Sequence, residues 1–380
     1  MLARKSVIHL GSLLVAASLL LASGAPLTSA ARPDPQPLAA DQPIVTDLKA
    51  LLAVRPDIGR ALVASLEKAD WRGITELDGY FTYLNEAVTR LPVADRLLAD
   101  AVEFYDLINQ SETLRQSEPF QQWVIRFVQD WGSFLDTPAS LAEIQSFYKD
   151  PRYRMDDYFV GPGGWQNFNQ FFAREVKPGR RPIAGACDDG IVVSPADSVF
   201  LGTWPVADDA TIEAKGVRYS IPALLAGSPY ADAFRGGVFT HAFLNVNDYH
   251  RFHTPVAGKV LESRVILGKM DLEVEHKPDT DALDPLDPVG YQFTQARGLL
   301  VIESGSAGLV AVLPIGMAQV SSVTLTPEVG TVLAKGEEFG FFQFGGSDII
   351  MVFQPDRVRF TAEVNKHHLQ GEKIGELIGR

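Results

Sequence analysis

Apolar side chains recur at helical spacing in the first part of the chain, after a proline-rich stretch. The strongest pattern lies in FQQWVIRFVQDWGSFLDTP, where one face carries Trp123, Val124, Phe127, Val128, Trp131 and Phe134. The segment Asp136-Thr137-Pro138 ends that helix. Weaker patterns of the same period comprise Ile58, Leu62, Val63 and Leu66, then Leu97, Leu98, Val102 and Tyr105. Residues 45–164 are therefore predicted to form a helical N-terminal domain whose aromatic stripe is core.

From Pro182 onward the pattern changes to short runs of Val, Ile and Phe separated by Gly, Pro, Asp and Asn. Examples are GIVVSPADSVFLGTW, GGVFTHAFLNVNDYHRFHTPVAGKVLESRVI and GLLVIESGSAGLVAVLPIG. This spacing predicts a β-rich, mostly antiparallel domain, a sandwich or a barrel, over residues 165–380. The predicted fold class is α+β. A long acidic excursion, residues 270–295, is expected to lie at the surface and to border a site, as long loops often do.

One strand pattern is interrupted. Residues 341–353 read FFQFGGSDIIMVF, so Gly345, Gly346 and Ser347 break what would otherwise be a continuous buried strand. Because glycine weakens a strand, either a β-bulge or a second purpose explains the break.

The first 31 residues have the plan of a secretory signal. Arg4 and Lys5 precede the apolar run LGSLLVAASLLLASG, and small residues follow it. The run is shorter than the roughly 20 residues of a spanning helix, so cleavage and export to the periplasm or the extracellular space are predicted, with residues 32–44 as a linker. The alternative is a retained N-terminal segment that keeps the protein at a membrane.

Composition and charge narrow the range of partners. An apolar fraction of 46% is ample for a folded core. Loss of residues 1–31 removes two of the 34 Lys and Arg residues and none of the 47 Asp and Glu residues, leaving a formal charge of −15. That charge opposes nucleic acid and does not favour anionic lipid. Cys187 is the single cysteine, so it can form no internal disulfide and is interpreted as structural.

Three polar clusters stand out in the second domain. They are SPADS with Asp197, NDYHRFHTP with His250 and His253, and GGS with Ser347. An Asp, a His and a Ser form one nucleophilic unit wherever a fold brings them together. Simpler roles stay open for the same residues: a turn cap for Asp197, a bulge for Ser347, and a metal pair for the two histidines. No third ligand follows a recognisable pattern, so no metal is predicted.

The bond between Gly346 and Ser347 favours the nucleophilic interpretation. A serine hydroxyl can attack the carbonyl of the preceding residue where the backbone bends into a strained turn, and glycine permits that bend. The attack converts the amide to an ester, and elimination with hydrolysis leaves a pyruvoyl group at the new N-terminus. Cleavage between Gly346 and Ser347 is therefore predicted.

Six motifs follow one another in this part of the chain. They are FFAREVKPGRRPI from Phe171, SPADS from Ser194, AKGVRYSIPALL from Ala214, DYHRFHTPVAGKV from Asp248, PIGMAQVSSV from Pro314 and KGEEFGFFQFGGS ending at Ser347. In sequence and order they resemble the phosphatidylserine decarboxylase family of self-processing pyruvoyl enzymes. Any one motif is modest evidence, but six in register argue against chance.

The resemblance implies a role for each candidate residue. Asp197 and His253 would form a self-cleavage triad with Ser347, and His250 would serve decarboxylation and substrate recognition. Cleavage before Ser347 would turn one precursor into a large β chain and a small α chain, residues 347–380.

The function implied is decarboxylation through the covalent pyruvoyl cofactor made from Ser347. Its ketone would form a Schiff base with the amine of phosphatidylserine, and loss of carbon dioxide would give phosphatidylethanolamine. Peripheral membrane contact would accompany such a substrate.

Two alternatives remain. The segments WVIRFVQDWGSFLDTPASL and GGWQNFNQFFAREVKPGRRPI resemble an extension of pyruvoyl decarboxylases that act on free amino acids, such as L-tryptophan decarboxylases. A free aromatic amino acid is therefore the alternative small-molecule substrate. The alternative of another class is a non-catalytic scaffold that kept the fold.

Two positions depart from the family pattern. Ser198 follows P-A-D where the family usually has Gly, and Asp348 follows Ser347 where the family usually has Thr. Neither change removes a member of the triad. The charge of Asp348 beside the future pyruvoyl amide could slow self-cleavage or repel an acidic substrate.

Overall fold

Helices fill the first part of the chain, as its apolar periodicity predicts. The computed structural model describes residues 40–214, 217–269, 274–277, 282–285, 290–316, 322–344 and 347–378. The predicted signal segment, most of the linker and Gly346 lie outside these residues. The helices are α1 (Pro43–Val54), α2 (Pro56–Ala69), α3 (Leu77–Ala87), α4 (Leu97–Asn109), α5 (Glu112–Gln116), α6 (Glu118–Leu135), α7 (Ile144–Lys149), α8 (Phe168–Phe172) and α9 (Ile221–Leu224). Short 3-10 helices lie at Pro138–Leu141, Pro151–Tyr153, Met155–Asp157, Ala231–Phe234 and Tyr291–Phe293.

Helix α6 follows the predicted pattern most closely. A proline in its first turn fits there without loss of a hydrogen bond, and the helix ends at Leu135, just before the predicted stop. Its buried face contains Trp123, Val124, Phe127, Val128 and Trp131. The Trp123 indole donates a 2.9 Å hydrogen bond to the Ile44 carbonyl and so ties α6 to α1. In α4 the predicted face is wrong at one position, because Leu98 is 43% exposed.

Strands dominate the second part of the chain. They are β1 (Tyr158–Phe159), β2 (Glu175–Val176), β3 (Ile191–Val193), β4 (Ser198–Pro205), β5 (Thr211–Ala214), β6 (Val217–Ser220), β7 (Val238–Leu244), β8 (Arg251–His253), β9 (Gly258–Ile266), β10 (Val274–Lys277), β11 (Ala282–Pro285), β12 (Arg297–Ser304), β13 (Gly308–Gly316), β14 (Val323–Leu325), β15 (Val332–Leu333), β16 (Glu338–Phe342), β17 (Ser347–Phe353), β18 (Val358–Phe360), β19 (Lys366–His368) and β20 (Lys373–Leu377).

Eight of these strands form one antiparallel sheet in the order β15-β9-β12-β13-β17-β7-β4-β19. Two three-stranded sheets, β14-β16-β8 and β18-β20-β3, and three two-stranded sheets account for the other strands. The predicted α+β class and antiparallel pairing are confirmed. Of the two predicted architectures, the barrel is wrong for the described residues, because the large sheet is open and ends in β15 on one side and β19 on the other.

Strand β17 lies inside the large sheet, between β13 and β7, and is buried along its whole length. Ile349 and Met351 belong to one core cluster, whereas Ile350 and Val352 belong to another. Side chains therefore alternate between two packed faces, as they must in an extended strand. The interrupted sequence pattern is also explained: β16 ends at Phe342 in a three-stranded sheet, and β17 begins at Ser347 in the large one.

The helices pack against the strands. From Gln42 onward the chain forms one compact unit. Trp131 of α6 contacts the Phe344 ring edge-on, with ring centroids 4.9 Å apart, and both belong to the core cluster that contains Ile349. The division into domains at residue 164 stays a prediction, and aromatic contacts cross it.

Candidate active site

Ser347 is the first residue of β17 and has no exposed surface. The antiparallel register places it opposite Gly316 of β13 and Leu244 of β7. Alternation along the strand directs its side chain to the face that packs Ile349. A hydroxyl that is completely buried needs a hydrogen-bond partner, and here the partner is a histidine.

His250 contacts the Ser347 hydroxyl, and its tautomer follows from its other contact. Nε2 lies 3.0 Å from the carbonyl oxygen of Asn245, which can only accept, so Nε2 carries the proton and donates. In the neutral ring Nδ1 then has the lone pair. Nδ1 lies 3.2 Å from Oγ of Ser347 and accepts the hydroxyl hydrogen. The pair thus consists of a donor hydroxyl and an acceptor imidazole.

Burial keeps the His250 ring neutral at ordinary pH. The ring is stacked on Phe172, with centroids 4.0 Å apart, and has no exposed surface. This desolvation lowers the pKa of His250 to about 3, and the positive charge of Arg174 acts in the same direction. Hydrogen bonds to the Asn245 and Val246 backbone oppose the shift without overcoming it. A bound anion beside the ring would favour the protonated form.

Arg174 fixes the turn that precedes His250. Its Nη2 donates to the carbonyls of Asn247 and Asp248, each at 2.8 Å, and its guanidinium lies 4.2 Å from the Tyr158 ring centroid. The Asp248 carboxylate closes the same turn by accepting the backbone N–H of Asn245 at 2.8 Å. Sequence reasoning assigned no role to Arg174. The signal was the motif FFAREVKPGRRPI, which contains both Phe172 and Arg174.

Asp197 forms a buried ion pair. Arg181 donates to its carboxylate through Nε at 2.8 Å and through Nη2 at 2.6 Å. The side chains of Arg181 and Asp197 are only 1% and 3% exposed. The backbone N–H of Gln370 donates to Oδ1 at 2.8 Å, and Arg181 also contacts Asp157. The carboxylate therefore holds together three separate parts of the chain.

His253 lies close to Asp197 but is bonded elsewhere. Its Nδ1 donates to the Gly336 carbonyl at 2.9 Å, and its Nε2 accepts from the Tyr249 hydroxyl at 3.1 Å. Burial lowers its pKa to about 4, and the charge of Asp197 acts in the opposite direction. Among the described contacts, His250 touches Ser347, whereas His253 makes no hydrogen bond to either Ser347 or Asp197. The triad inferred from the resemblance stays a prediction.

Asp348 lies on the opposite face of β17 from Ser347. Its carboxylate accepts a hydrogen bond from the Tyr291 hydroxyl and lies 3.0 Å from Nε2 of His241 in β7. Like Ser347 it has no exposed surface. The charge that the sequence places beside the reactive residue is thus directed away from the Ser347 hydroxyl.

A cleft of about 270 Å³ lies between α6 and the segment that leads to Ser347. Trp131 and Phe344 contribute aromatic surface, and Gly132 leaves open space where a Cβ would be. Among the described lining residues the single charged side chain is Asp136. The Phe344 ring packs against Phe172, with centroids 5.5 Å apart, and Phe172 in turn stacks on His250. Two aromatic rings therefore separate the cleft from the histidine.

Neither a metal cluster nor a membrane-spanning helix occurs in the part of the chain that the structure describes. No three His, Cys, Asp or Glu side chains there are grouped to hold a metal ion. In the same residues, no helix is both long enough and apolar enough to cross a membrane.

The fold and the site define an α+β protein with a buried Ser–His pair at the start of a central strand. The family model described as phosphatidylserine decarboxylase matches residues 168–376, more than half of the chain. The chain therefore belongs to the phosphatidylserine decarboxylase family, as its motifs predict.

Curated relatives agree with this membership. The phosphatidylserine decarboxylase proenzyme of Fusobacterium nucleatum is 30% identical over 259 residues, which cover 66% of this chain and 83% of the relative. That of Chlamydia muridarum is 33% identical over 221 residues, 56% of this chain and 69% of the relative. Proenzyme 3 of Schizosaccharomyces pombe is 32% identical over 256 residues, 65% of this chain but only 26% of that longer relative.

Proposed function

We propose that this chain is a self-processing decarboxylase in which Ser347 is the precursor of a covalent pyruvoyl group. The observation that carries the proposal is the position of Ser347, fully buried at the start of β17 and 3.2 Å from Nδ1 of His250. Gly345 and Gly346 precede it and give the backbone the freedom that self-cleavage needs. Relatives described as proenzymes support a processing step.

The surroundings of residue 347 fit a pyruvoyl group. Leu244 lies opposite it on β7, and Phe172 and Phe342 flank the His250 ring, so these described neighbours offer apolar contacts beside one imidazole. A ketone and a methyl group there need no partner beyond His250. When present, a pyruvoyl group supplies the electron-withdrawing carbonyl that lets an α-amino acid lose carbon dioxide.

We assign His250 to the decarboxylation step. Without substrate its depressed pKa leaves it neutral, but a substrate carboxylate bound in the same buried space would raise that pKa. His250 would then carry a proton next to residue 347 and could deliver it to the substrate carbon as carbon dioxide leaves. Stacking on Phe172 and the bond to Asn245 hold the ring in the required orientation.

We assign Asp197 and His253 to self-cleavage, as the family resemblance implies. Burial lowers the pKa of His253, and the charge of Asp197 offsets part of that shift, which helps His253 to accept the Ser347 proton. For this step His253 has to exchange its contact with Tyr249 or with Gly336 for one with Ser347. The assignment thus requires a ring movement before the bond is cut.

Mass spectrometry and carbon dioxide release separate these roles. Ser347→Ala should leave one intact chain without activity. His250→Ala should be cleaved but should not turn over substrate, whereas His253→Ala should remain intact. A wild-type chain that stays intact on prolonged incubation would refute the proposal. An intact His250→Ala chain would instead make His250 the base for self-cleavage, as its contact with Ser347 permits.

The first candidate substrate is phosphatidylserine, which the names of the relatives indicate. The cleaved enzyme should release carbon dioxide from phosphatidylserine presented in mixed vesicles or detergent micelles. No release from phosphatidylserine, together with release from a free amino acid, would exclude this substrate while leaving the reaction class intact.

The cleft beside α6 favours a second candidate, a free aromatic amino acid, whose amine reaches residue 347 only if the rings of Phe344 and Phe172 move aside. Its volume of about 270 Å³ lies near the lower end of small-ligand sites and is lined by Trp131 and Phe344. Asp136 would oppose the phosphate of a phospholipid. Gly132→Leu should fill the cleft and raise KM for tryptophan, with Gly132→Ala as the matched control that adds a Cβ alone. Equal KM values in wild type and Gly132→Leu would remove the cleft from consideration.

We also propose that the protein is exported, on the pattern of residues 1–31 alone. The first residue of the purified β chain tests this. A β chain that begins near residue 32 is expected, and one that retains Arg4 and Lys5 would contradict export with cleavage.

A further inference from the structure

Asp348 is a buried residue whose contacts the proposed reaction does not use. It follows the reactive residue directly, where the family usually has Thr, and it is completely buried. The Tyr291 hydroxyl donates to its carboxylate, and Nε2 of His241 lies 3.0 Å away. A carboxylate in such a position is expected only where its partners stabilise it.

These contacts become connections between two chains once the Gly346–Ser347 bond is cut. Tyr291 and His241 precede the cut and belong to the β chain, whereas Asp348 is the second residue of the α chain. Cleavage removes the covalent restraint on the N-terminal side of residue 347. Residue 347 is then held by the pairing of β17 with β13 and β7 and by the next side chain, that of Asp348.

We propose that Asp348, Tyr291 and His241 form an anchor, here called the α-chain anchor, that holds residue 347 against His250 after cleavage. The inference rests on the proposed function and adds positioning residues to it. The anchor acts from the face of the sheet opposite the site, so it can fix the strand end without occupying space that a substrate needs.

The position and packing of Tyr291 support this role. It lies in the 3-10 turn Tyr291–Phe293, near the end of the acidic excursion that the sequence predicts to border a site. Its ring packs against the helical core cluster, and so does Phe243, which stands opposite Asp348 in the β17–β7 register. The Tyr291 hydroxyl is therefore fixed by packing on the helices, which makes it a firm point of attachment for a newly released chain end.

Positioning of this kind has a predictable kinetic signature. Reacting groups must be held to within about 0.5 Å, and a displacement of about 1 Å can cost on the order of 100-fold in rate. Loss of the anchor should lower kcat and leave KM nearly unchanged, because the substrate-binding surface is intact. Self-cleavage should still occur, because it takes place while residue 347 is held from both sides.

The test uses the full-length cleaved enzyme with Tyr291→Phe and Asp348→Ala, and with Asp348→Asn as the conservative variant. Tyr230→Phe is the matched control, since Tyr230 is half-buried and none of the described hydrogen bonds joins its hydroxyl to Asp348 or to Ser347. Cleavage is measured by intact mass, and turnover is measured by carbon dioxide release. The opening of the strand end is measured by deuterium uptake at the amides of residues 348–350.

Tyr291→Phe and Asp348→Ala should be fully cleaved, with kcat reduced at least tenfold, unchanged KM and faster deuterium uptake at residues 348–350. Asp348→Asn should recover part of kcat, and Tyr230→Phe should match wild type. Wild-type kcat and wild-type uptake in Tyr291→Phe would overturn the anchor, and so would loss of cleavage at unchanged thermal stability. A wild-type chain that is cleaved but releases no carbon dioxide refutes the proposed function, while deuterium uptake still decides the anchor.

Discussion

Replacement of Asp197 by alanine should destabilise the protein strongly, whatever its role in self-cleavage. The carboxylate accepts three side-chain hydrogen bonds from Arg181, at 2.8, 3.1 and 2.6 Å, and one from the Gln370 backbone at 2.8 Å. Both side chains of the ion pair are almost completely buried. Asp197→Ala leaves the Arg181 charge in that environment with Asp157 as its remaining acidic contact.

The size of the effect follows from these contacts. Breaking a buried ion pair by removing one partner costs about 3–5 kcal/mol. The remaining contact of Arg181 with Asp157 favours the lower end of that range, and loss of the acceptor for Gln370 adds about 1 kcal/mol. A loss of about 4 kcal/mol in the free energy of unfolding is therefore expected. Asp197→Asn keeps the shape and one acceptor oxygen and should lose less.

The assay is denaturant unfolding followed by tryptophan fluorescence, with every variant made in the Ser347→Ala chain so that all remain uncleaved. The double variant Arg181→Met/Asp197→Ala should be more stable than the summed losses of Arg181→Met and Asp197→Ala predict, because it leaves neither charge buried alone. A loss below about 1 kcal/mol for Asp197→Ala, or strictly additive effects, would refute the ion-pair reasoning. Until stability is measured, failed cleavage in Asp197→Ala is no evidence for a triad.

Two further predictions concern charge near the reactive serine. Burial depresses the pKa of His250 to about 3 from its ordinary 6.5, so the unfolded chain binds a proton first and stability is lost as the pH falls from 6.5 towards 3. The stability advantage of wild type over His250→Gln should therefore shrink by about 2 kcal/mol between pH 7 and pH 5, and a constant difference in urea unfolding would contradict the depressed pKa. Asp348→Thr should not change the cleaved fraction measured by intact mass, because the carboxylate lies on the face opposite Ser347, bonded to Tyr291. A several-fold faster cleavage would show that the charge does impede processing.

Much of the fold follows from local patterns in the sequence. The α6 face could be predicted because six apolar residues at helical spacing lie on one side of a helix, and α6 buries five of them. Leu98 was misassigned because α4 is buried on nearly all sides, so its periodicity does not identify the exposed position. The opposite orientations of Ser347 and Asp348 were also available from sequence, since neighbours in a strand always alternate.

The contacts of the site could not be obtained in this way. The tautomer of His250 depends on the direction of the Asn245 carbonyl, which is set by a turn that Asp248 and Arg174 close from different parts of the chain. Arg181 was present in a recognised motif, but its pairing with Asp197 depends on tertiary packing. Residue type and spacing thus select the reacting groups, and long-range contacts decide which of them meet.

The location of the proposed cut affects how the enzyme can fold and refold. The α chain supplies β17 between β13 and β7, β19 beside β4, and β20 beside β3, so it is interleaved with the β chain and cannot leave without splitting the large sheet. Before the cut, folding is a reaction of one molecule. After it, refolding requires two molecules to meet and therefore depends on their concentration. The proposed self-cleavage would thus limit refolding: a precursor that unfolds can refold alone, whereas the two chains of a mature enzyme that unfolds in dilute solution must first meet again.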